Sequence, residues 1–222
     1  MSSSSLPQKI SSHDPHDPQA EFLQGLIELQ YGYDVKIKLQ HLAPKITWAI
    51  GWPDNNIAFW NAEAFMWTHK IEKEIRKVIS QELAPLSTGR NLDLGCGAYS
   101  YVPSVGFDIS PKMLNCNDQC VEKITGDLEK PLPLESHSYD SITAIFVLNY
   151  IQHLHQLLTE IKRILKPSGT FAVVLSINPI NDWQRQKEIN SYKSTEWRSF
   201  LEQYFSVTVK EVSGLLILWC QA

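Results

Sequence analysis

The spacing of apolar residues changes character along the chain, and each change predicts a different kind of structure. Residues 1–19 are rich in Ser, Pro, Asp and His, with the repeated triplets His13-Asp14-Pro15 and His16-Asp17-Pro18 and almost nothing to bury. Such a segment cannot offset its ordering entropy, so a mobile tail is expected. From Glu21 onward, Phe22, Leu23, Leu26, Ile27 and Leu29 recur at helical spacing, with Asp17-Pro18 as a start signal. A second helix is predicted from Asn61 to Leu83. Phe65, Ile71, Ile75, Val78 and Ile79 form its apolar stripe, Glu72, Lys73, Glu74, Arg76 and Lys77 its wet face, and Pro85 and Gly89 close it.

Beyond Arg90, short apolar runs alternate with helical patterns, as a parallel α/β sheet requires. Asn91–Leu94, Ser104–Phe107, Ile124-Thr125, Ser141–Phe146 and Thr170–Ile177 read as strands, and Pro111–Cys120, Ile151–Leu165 and Ser194–Tyr204 as helices. Lys166-Pro167-Ser168-Gly169 is a stop signal before the fifth strand. Ser206–Glu211 and Leu215–Cys220 flank Ser213-Gly214 and read as an antiparallel hairpin. The expected organisation is a tail over 1–19, a helical cap over 20–86 and a seven-stranded, mostly parallel α/β core over 87–222.

Composition narrows the function. A net charge of -4 provides no general attraction to phosphate backbones, so nucleic acid is a poor substrate candidate. No apolar run approaches the roughly 20 residues that span a bilayer, and residues 1–5 lack a signal-peptide pattern. Cys116 and Cys120 form one C-x3-C pair without a second pair or a nearby histidine, too few ligands for structural zinc. Reduced thiols in a cytoplasmic protein, with no metal, are expected. Trp48, Trp52, Phe59, Trp60 and Trp67 crowd the cap; such rings pack a core, and Trp52, Trp60 and Trp67 are also candidate walls of a substrate pocket.

The chemistry concentrates in three strand ends. Asn91-Leu92-Asp93-Leu94-Gly95-Cys96-Gly97-Ala98 is a strand running into a tight glycine turn, where Gly95 and Gly97 let a ligand approach the backbone. Ser100 stands where a dinucleotide fingerprint wants its third glycine, which disfavours a nicotinamide enzyme. Asp108 ends the second strand, where a carboxylate can accept both hydroxyls of a ribose, and Asp127 follows the third, within reach of an exocyclic amine. Each acid alone is as readily a turn residue. Three at successive strand ends are a specific constellation.

LDLGCG at 92–97, GFDISPKML at 106–114, GDLEKPLPLESHSYDSI at 126–142 and LTEIKRILKPSGTF at 158–171 resemble, in order, the class I S-adenosylmethionine-dependent methyltransferases. The resemblance covers Arg90–Ile177 and implies a Rossmann-like fold whose terminal hairpin is the methyltransferase variant. It further implies S-adenosylmethionine as cofactor and S-adenosylhomocysteine as product. Carried across, Asp93, Gly95, Cys96 and Gly97 would cradle the amino acid end of the cofactor. Asp108 would hold the ribose, with Ile109 and Met113 against sugar and adenine. Asp127 and Leu128 would read the adenine edge, and Phe146 and Val147 would line the methionine portion.

One departure stands out. Only ten residues separate Gly97 from Asp108, and Ala98–Ser104 contains Pro103 and no helical periodicity. The crossover helix after the first strand is therefore short or lost, and the aromatic N-terminal segment is expected to cover the face it leaves bare. Transfer of an activated sulfonium methyl needs alignment and a dry pocket, and a base only if the nucleophile must lose a proton. Asn149, Tyr150 and His153, after the fourth strand, are the candidate catalytic residues, with Asn149, Tyr150 and Trp183 added to the substrate pocket and His69 and His137 weaker. No Asn/Asp-Pro-Pro-Tyr/Phe motif follows that strand, against nucleobase methylation. The expectation is a monomer or homodimer acting on a small molecule at oxygen, nitrogen or carbon. A peptide methyltransferase and a non-catalytic cofactor-binding partner subunit are the alternatives.

Overall fold

A computed structural model describes residues 17–177 and 185–222, without the side chains of Thr68 and His69. Residues 1–16 of the tail expected over 1–19 and the candidate Trp183 lie outside the described residues. The chain forms two units, the first ending at Ala62 and the second running Glu63–Ala222.

In the first unit Asp17 caps helix α1 (Pro18–Gln30), its carboxylate accepting from the Gln19 amide, so Pro18 and Gln19 are already helical. Pro at the first helical position loses no bond there. Helices α2 (Lys36–Leu42) and α3 (Asn56–Glu63) follow. Phe22 is fully buried and meets the Trp48 and Trp52 rings edge-on at 5.6 and 5.5 Å. Phe59 and Trp60 form a similar pair at 5.1 Å. Phe22, Trp52 and Phe59 are thus buried in the core of the first unit, with Trp48 and Trp60 half-buried beside them.

The single helix expected over Asn61–Leu83 is broken. α3 ends at Glu63, α4 spans Trp67–Lys70, and α5 starts at Lys73 and ends at Leu83. Ile71 turns extended (φ -105°, ψ 119°) so that its side chain is buried, and its carbonyl accepts from Arg76 Nε. Helical periodicity alone does not register this, because the break is set by what Ile71 packs against.

The second unit is built on a seven-stranded sheet of order β3-β2-β1-β4-β5-β7-β6. Its strands are β1 (Asn91–Leu94), β2 (Ser104–Asp108), β3 (Cys120–Thr125), β4 (Tyr139–Ile145), β5 (Leu165–Ser176), β6 (Ser206–Val212) and β7 (Leu215–Gln221). The first five are parallel; β7 runs antiparallel to β5 and β6, through a turn with Ser213 and Gly214 both at positive φ. This is the Rossmann-like sheet with a reversed terminal hairpin. Alternate residues serve opposite faces: Phe171, Val173 and Leu175 pack with α7 (Leu154–Ile164) and α8 (Ser194–Leu201), Ala172 and Val174 with Ile79 and Leu83 of α5. Helix α5 therefore belongs to the sheet's own unit.

Residues 95–103 contain no helix. Val102 and Tyr101 of this connection join the cluster around α5, and Arg76 of α5 stacks on Tyr99 at 4.8 Å. The connection that lacks a crossover helix thus packs against α5. α6 (Pro111–Cys116) stops short of the predicted Cys120 because Asn117 leaves the helix, and β3 begins correspondingly early. Among the described residues no helix is long and apolar enough to cross a membrane.

Candidate active site

Strand order reverses between β1 and β4, and in open α/β sheets ligands bind beyond the strand ends at that point. After β1, Gly95 and Gly97 sit in left-handed conformations (φ 60° and 57°). A Cβ on Gly95 would lie 2.6 Å from Val147, and one on Gly97 would lie 3.3 Å from the Trp67 indole. Trp67 thus walls the turn, and Val147, after β4, closes against it. The amides of Gly95 and Cys96 both donate to Phe107 O, at 2.7 and 3.3 Å, and the Gly97 amide donates to Asp108 Oδ2 at 2.9 Å. These donors anchor the turn to β2, so the turn offers shape to a ligand rather than amide hydrogens.

Asp108 is 6% exposed, and its Oδ1 accepts from the Ser110 amide at 2.8 Å. Burial pushes its carboxyl up to about 6, against the two backbone hydrogen bonds. Asp93 lies beneath the turn, taking Ser100 Oγ at 2.6 Å and Thr143 Oγ1 at 2.8 Å, and burial raises it to about 7. The predicted cofactor contact of Asp93 is accordingly recast as support of the loop. Both acids titrate above their ordinary 3.8, so the folded state holds these protons more tightly than the unfolded chain. The stability they confer is complete below the unfolded value and is lost as pH rises through their folded values. Thermal unfolding of the ligand-free protein should therefore fall by several degrees between about pH 5 and about pH 8, and Asp93→Asn should flatten that slope.

Asn117 was not among the sequence candidates. It is fully buried: Nδ2 donates to Gly97 O and Ser100 Oγ, both at 3.1 Å, and Oδ1 accepts from the Ser100 and Gln119 amides at 3.3 and 3.2 Å. It knits the loop that has no crossover helix. Cys96 is buried and turned inward, Sγ donating to Gly97 O at 3.6 Å, and Met113 is packed at 2% exposure. Neither side chain is presented outward. Ile109 is half-buried beside Asp108. Asp127 is half-buried with Oδ1 accepting from the Glu129 amide at 3.0 Å, and Leu128 is buried beside it.

A cavity of about 200 Å³ opens beyond β4 and β5, lined in part by Phe146, Asn149, Leu175, Glu188, Tyr192 and Trp197. Phe146 is held at positive φ (58°), its amide donating to Val174 O at 2.8 Å. Asn149 Nδ2 donates to Glu188 Oε1 at 3.0 Å, and the amides of Ile189 and Asn190 donate back to Asn149 O at 2.8 and 3.0 Å. Asn149 thus lines the cavity beside Glu188, a residue that nothing local in the sequence ties to β4. Tyr150 is adjacent to the cavity and not among the residues lining it. Burial, with Glu188 and Glu63 nearby, pushes its phenol above its ordinary range, which makes it a donor rather than a base. Glu63 itself pairs with Lys70 in a buried ion pair. His153 sits at the exposed start of α7, Nδ1 2.9 Å from Glu129 Oε2, outside the cavity lining. His137 pairs with Leu165 O at 3.1 Å and likewise does not line it.

A family described as a methyltransferase domain matches residues 92–173. A sterol 4-C-methyltransferase of Caenorhabditis elegans is 26% identical over 140 residues, covering 54% of this chain and 41% of that protein. A demethylmenaquinone methyltransferase of Thermotoga maritima is 28% identical over 146 residues, covering 63% of this chain and 62% of that protein. The chain thus spans less than two thirds of the length of both curated relatives. The fold is shared with an S-adenosylmethionine-dependent methyltransferase of Mesorhizobium loti (TM-score 0.52, 18% identity, 65% of this chain and 96% of that one).

Proposed function

We propose that the chain, which is similar to a methyltransferase domain over residues 92–173 and shares the Rossmann-like fold of S-adenosylmethionine-dependent methyltransferases, transfers the cofactor's methyl group by in-line displacement to a small-molecule acceptor. The observation that carries this reading is Asp108 behind the glycine turn. Each of its oxygens accepts one backbone amide, so each retains a lone pair for one of two vicinal ribose hydroxyls. The site's chemistry therefore fits the cofactor, which supplies a methyl group already activated on a sulfonium.

In this reading Asp108 orients the ribose, with Ile109 beside it. Gly95 and Gly97 admit the amino acid end, and Trp67 and Val147 exclude water from the turn. Asp127 and the Leu128 backbone face the adenine edge. Phe146 borders the acceptor cavity, so its strained backbone links the turn after β4 to the acceptor. The volume of about 200 Å³ suits a small molecule better than a peptide chain. The relatives named for sterol and demethylmenaquinone methylation favour the same class of acceptor.

The test is incubation of the full chain with methyl-labelled S-adenosylmethionine and a metabolite panel, read by mass spectrometry. Acceptor-dependent formation of S-adenosylhomocysteine and of a product heavier by one labelled methyl is expected. A folded protein that binds neither cofactor nor product in calorimetry would falsify the reading.

A further inference from the structure

Among the described residues that line the cavity beyond β4 and β5, the charged side chain is a carboxylate. The cavity's acceptors include the Glu188 carboxylate, held at Oε1 by Asn149 Nδ2 at 3.0 Å, and Asn149 Oδ1, which is buried without a donor. Among the described residues no cation pairs with Glu188, and no Lys, Arg or His lines the cavity. The Asn190 side chain is spent as well, Nδ2 donating to Leu148 O and Ile151 O at 3.2 and 2.6 Å. The rest of the wall mixes the hydroxyl residues Ser176 and Ser191 and the aliphatic Leu175 and Ile177 with three rings, Phe146, Tyr192 and Trp197, the last two meeting edge-on at 5.0 Å.

From this arrangement we infer that the acceptor is an amine, whose nitrogen lies against Glu188 between the faces of Phe146, Tyr192 and Trp197. A buried acceptor without a donor costs about 1–3 kcal/mol, so the complementary ligand brings hydrogens. A hydroxyl brings one hydrogen and no charge. An amino group brings two or three, and its ammonium form is attracted both by the carboxylate and by aromatic faces. An anionic acceptor meets the Glu188 charge with no cation among the described lining residues to offset it. The inference rests on the methyl-transfer reading and narrows it to nitrogen.

The step balances without another reactant. The bound ammonium first gives one proton to the Glu188 carboxylate, which passes it to water, and so frees the nitrogen lone pair. The neutral amine then forms the new N–C bond as the S–C bond breaks; that electron pair stays on sulfur, and the product carries its positive charge as a methylated ammonium. Glu188 thereby acts as both counter-charge and proton acceptor, and Asn149 positions it.

The test is calorimetric titration of three probes of one shape, 2-phenylethylamine, 2-phenylethanol and phenylacetate, into the full chain saturated with S-adenosylhomocysteine. The amine should bind at least about tenfold tighter than the alcohol, the difference expected when one charge-assisted hydrogen bond is exchanged for a neutral one. Phenylacetate should not bind. Glu188→Gln retains the Asn149 contact and should erase the preference while S-adenosylhomocysteine still binds. Equal binding of amine and alcohol, a preference that survives in Glu188→Gln, or no binding of the amine to a protein that holds S-adenosylhomocysteine overturns the amine assignment alone. Failure to bind S-adenosylhomocysteine would instead remove the methyl-transfer reading beneath it.

Discussion

Replacing Asp108 by Asn is expected to weaken S-adenosylhomocysteine binding by roughly 100- to 1000-fold near neutral pH while the protein stays folded. Hydrogen bonds to a charged acceptor contribute about 1.5–3 kcal/mol each, and each 1.4 kcal/mol is a factor of ten in affinity. Asn keeps one acceptor oxygen for the Ser110 or Gly97 amide but presents NH2 where the other amide points, and loses the charge that both ribose hydroxyls would meet. The fold tolerates the change because ionising Asp108 in its buried setting is itself unfavourable, which is why burial holds its carboxyl up at about 6. The same fact sets a pH dependence. Ribose hydroxyls donate to the ionised form and lower its pKa in the complex, so binding releases a proton at and below about pH 6. Affinity should climb toward tenfold per pH unit below that value and level off above it. Calorimetry in buffers of different ionisation enthalpy reads both effects. An Asp108→Asn protein that binds as tightly as wild type, or a wild-type profile flat from about pH 5 to about pH 8, would remove Asp108 from the cofactor site.

The sheet was legible in the sequence because its strands are local statements. Leu92 and Leu94, or Phe171, Val173 and Leu175, announce a buried strand wherever they fall, and Ser213-Gly214 announces its own turn. The missing crossover helix was legible as well, since ten residues with a proline cannot hold one. What replaces it was only half visible. The connection packs against α5, whose Ile75, Val78 and Ile79 follow the expected stripe, whereas Phe65 lies outside that helix and exposed; the break at Ile71 follows from the burial of that side chain in the sheet's second cluster, which spacing does not report. The same logic separates Asp108 from Glu188. An acid at a strand end beside a glycine turn is recognisable from its neighbours in sequence. Glu188 becomes a site residue only through Asn149, 39 positions earlier. His153, chosen for its residue type and position, is drawn off by Glu129 at the surface. Sequence thus reports residues whose environment is made by adjacent residues, and passes over those whose environment is assembled by the fold.

Asn117 belongs to the second kind, and its removal carries the other large expected effect. Asn117→Ala strips the Gly97 carbonyl and the Ser100 amide and hydroxyl of a partner inside the protein, where no water reaches the side chain being replaced. Each buried polar group left unsatisfied costs about 1–3 kcal/mol, so a loss of about 3 kcal/mol is expected from a total of about 5–15. At about 2–4 °C per kcal/mol for a unit of this size, that is a fall in Tm of about 6–12 °C. The functional consequence follows from what Asn117 substitutes for. In a longer connection a crossover helix would fix the glycine turn; here one amide spans from the end of α6 to Gly97 and Ser100, and Ser100 in turn holds Asp93. Loosening it lets Gly97 leave the position in which its amide meets Asp108, so S-adenosylhomocysteine affinity should drop by at least about tenfold, one such hydrogen bond to a charged group. Asn117→Asp discriminates between the two effects: it keeps the shape and the Ser100 and Gln119 contacts but sets a carboxylate against the Gly97 carbonyl. It should therefore lose affinity at least as far as Asn117→Ala at matched stability. Wild-type Tm and wild-type affinity in Asn117→Ala would show that the contacts to Phe107, Asp108 and Asp93 hold the loop without Asn117.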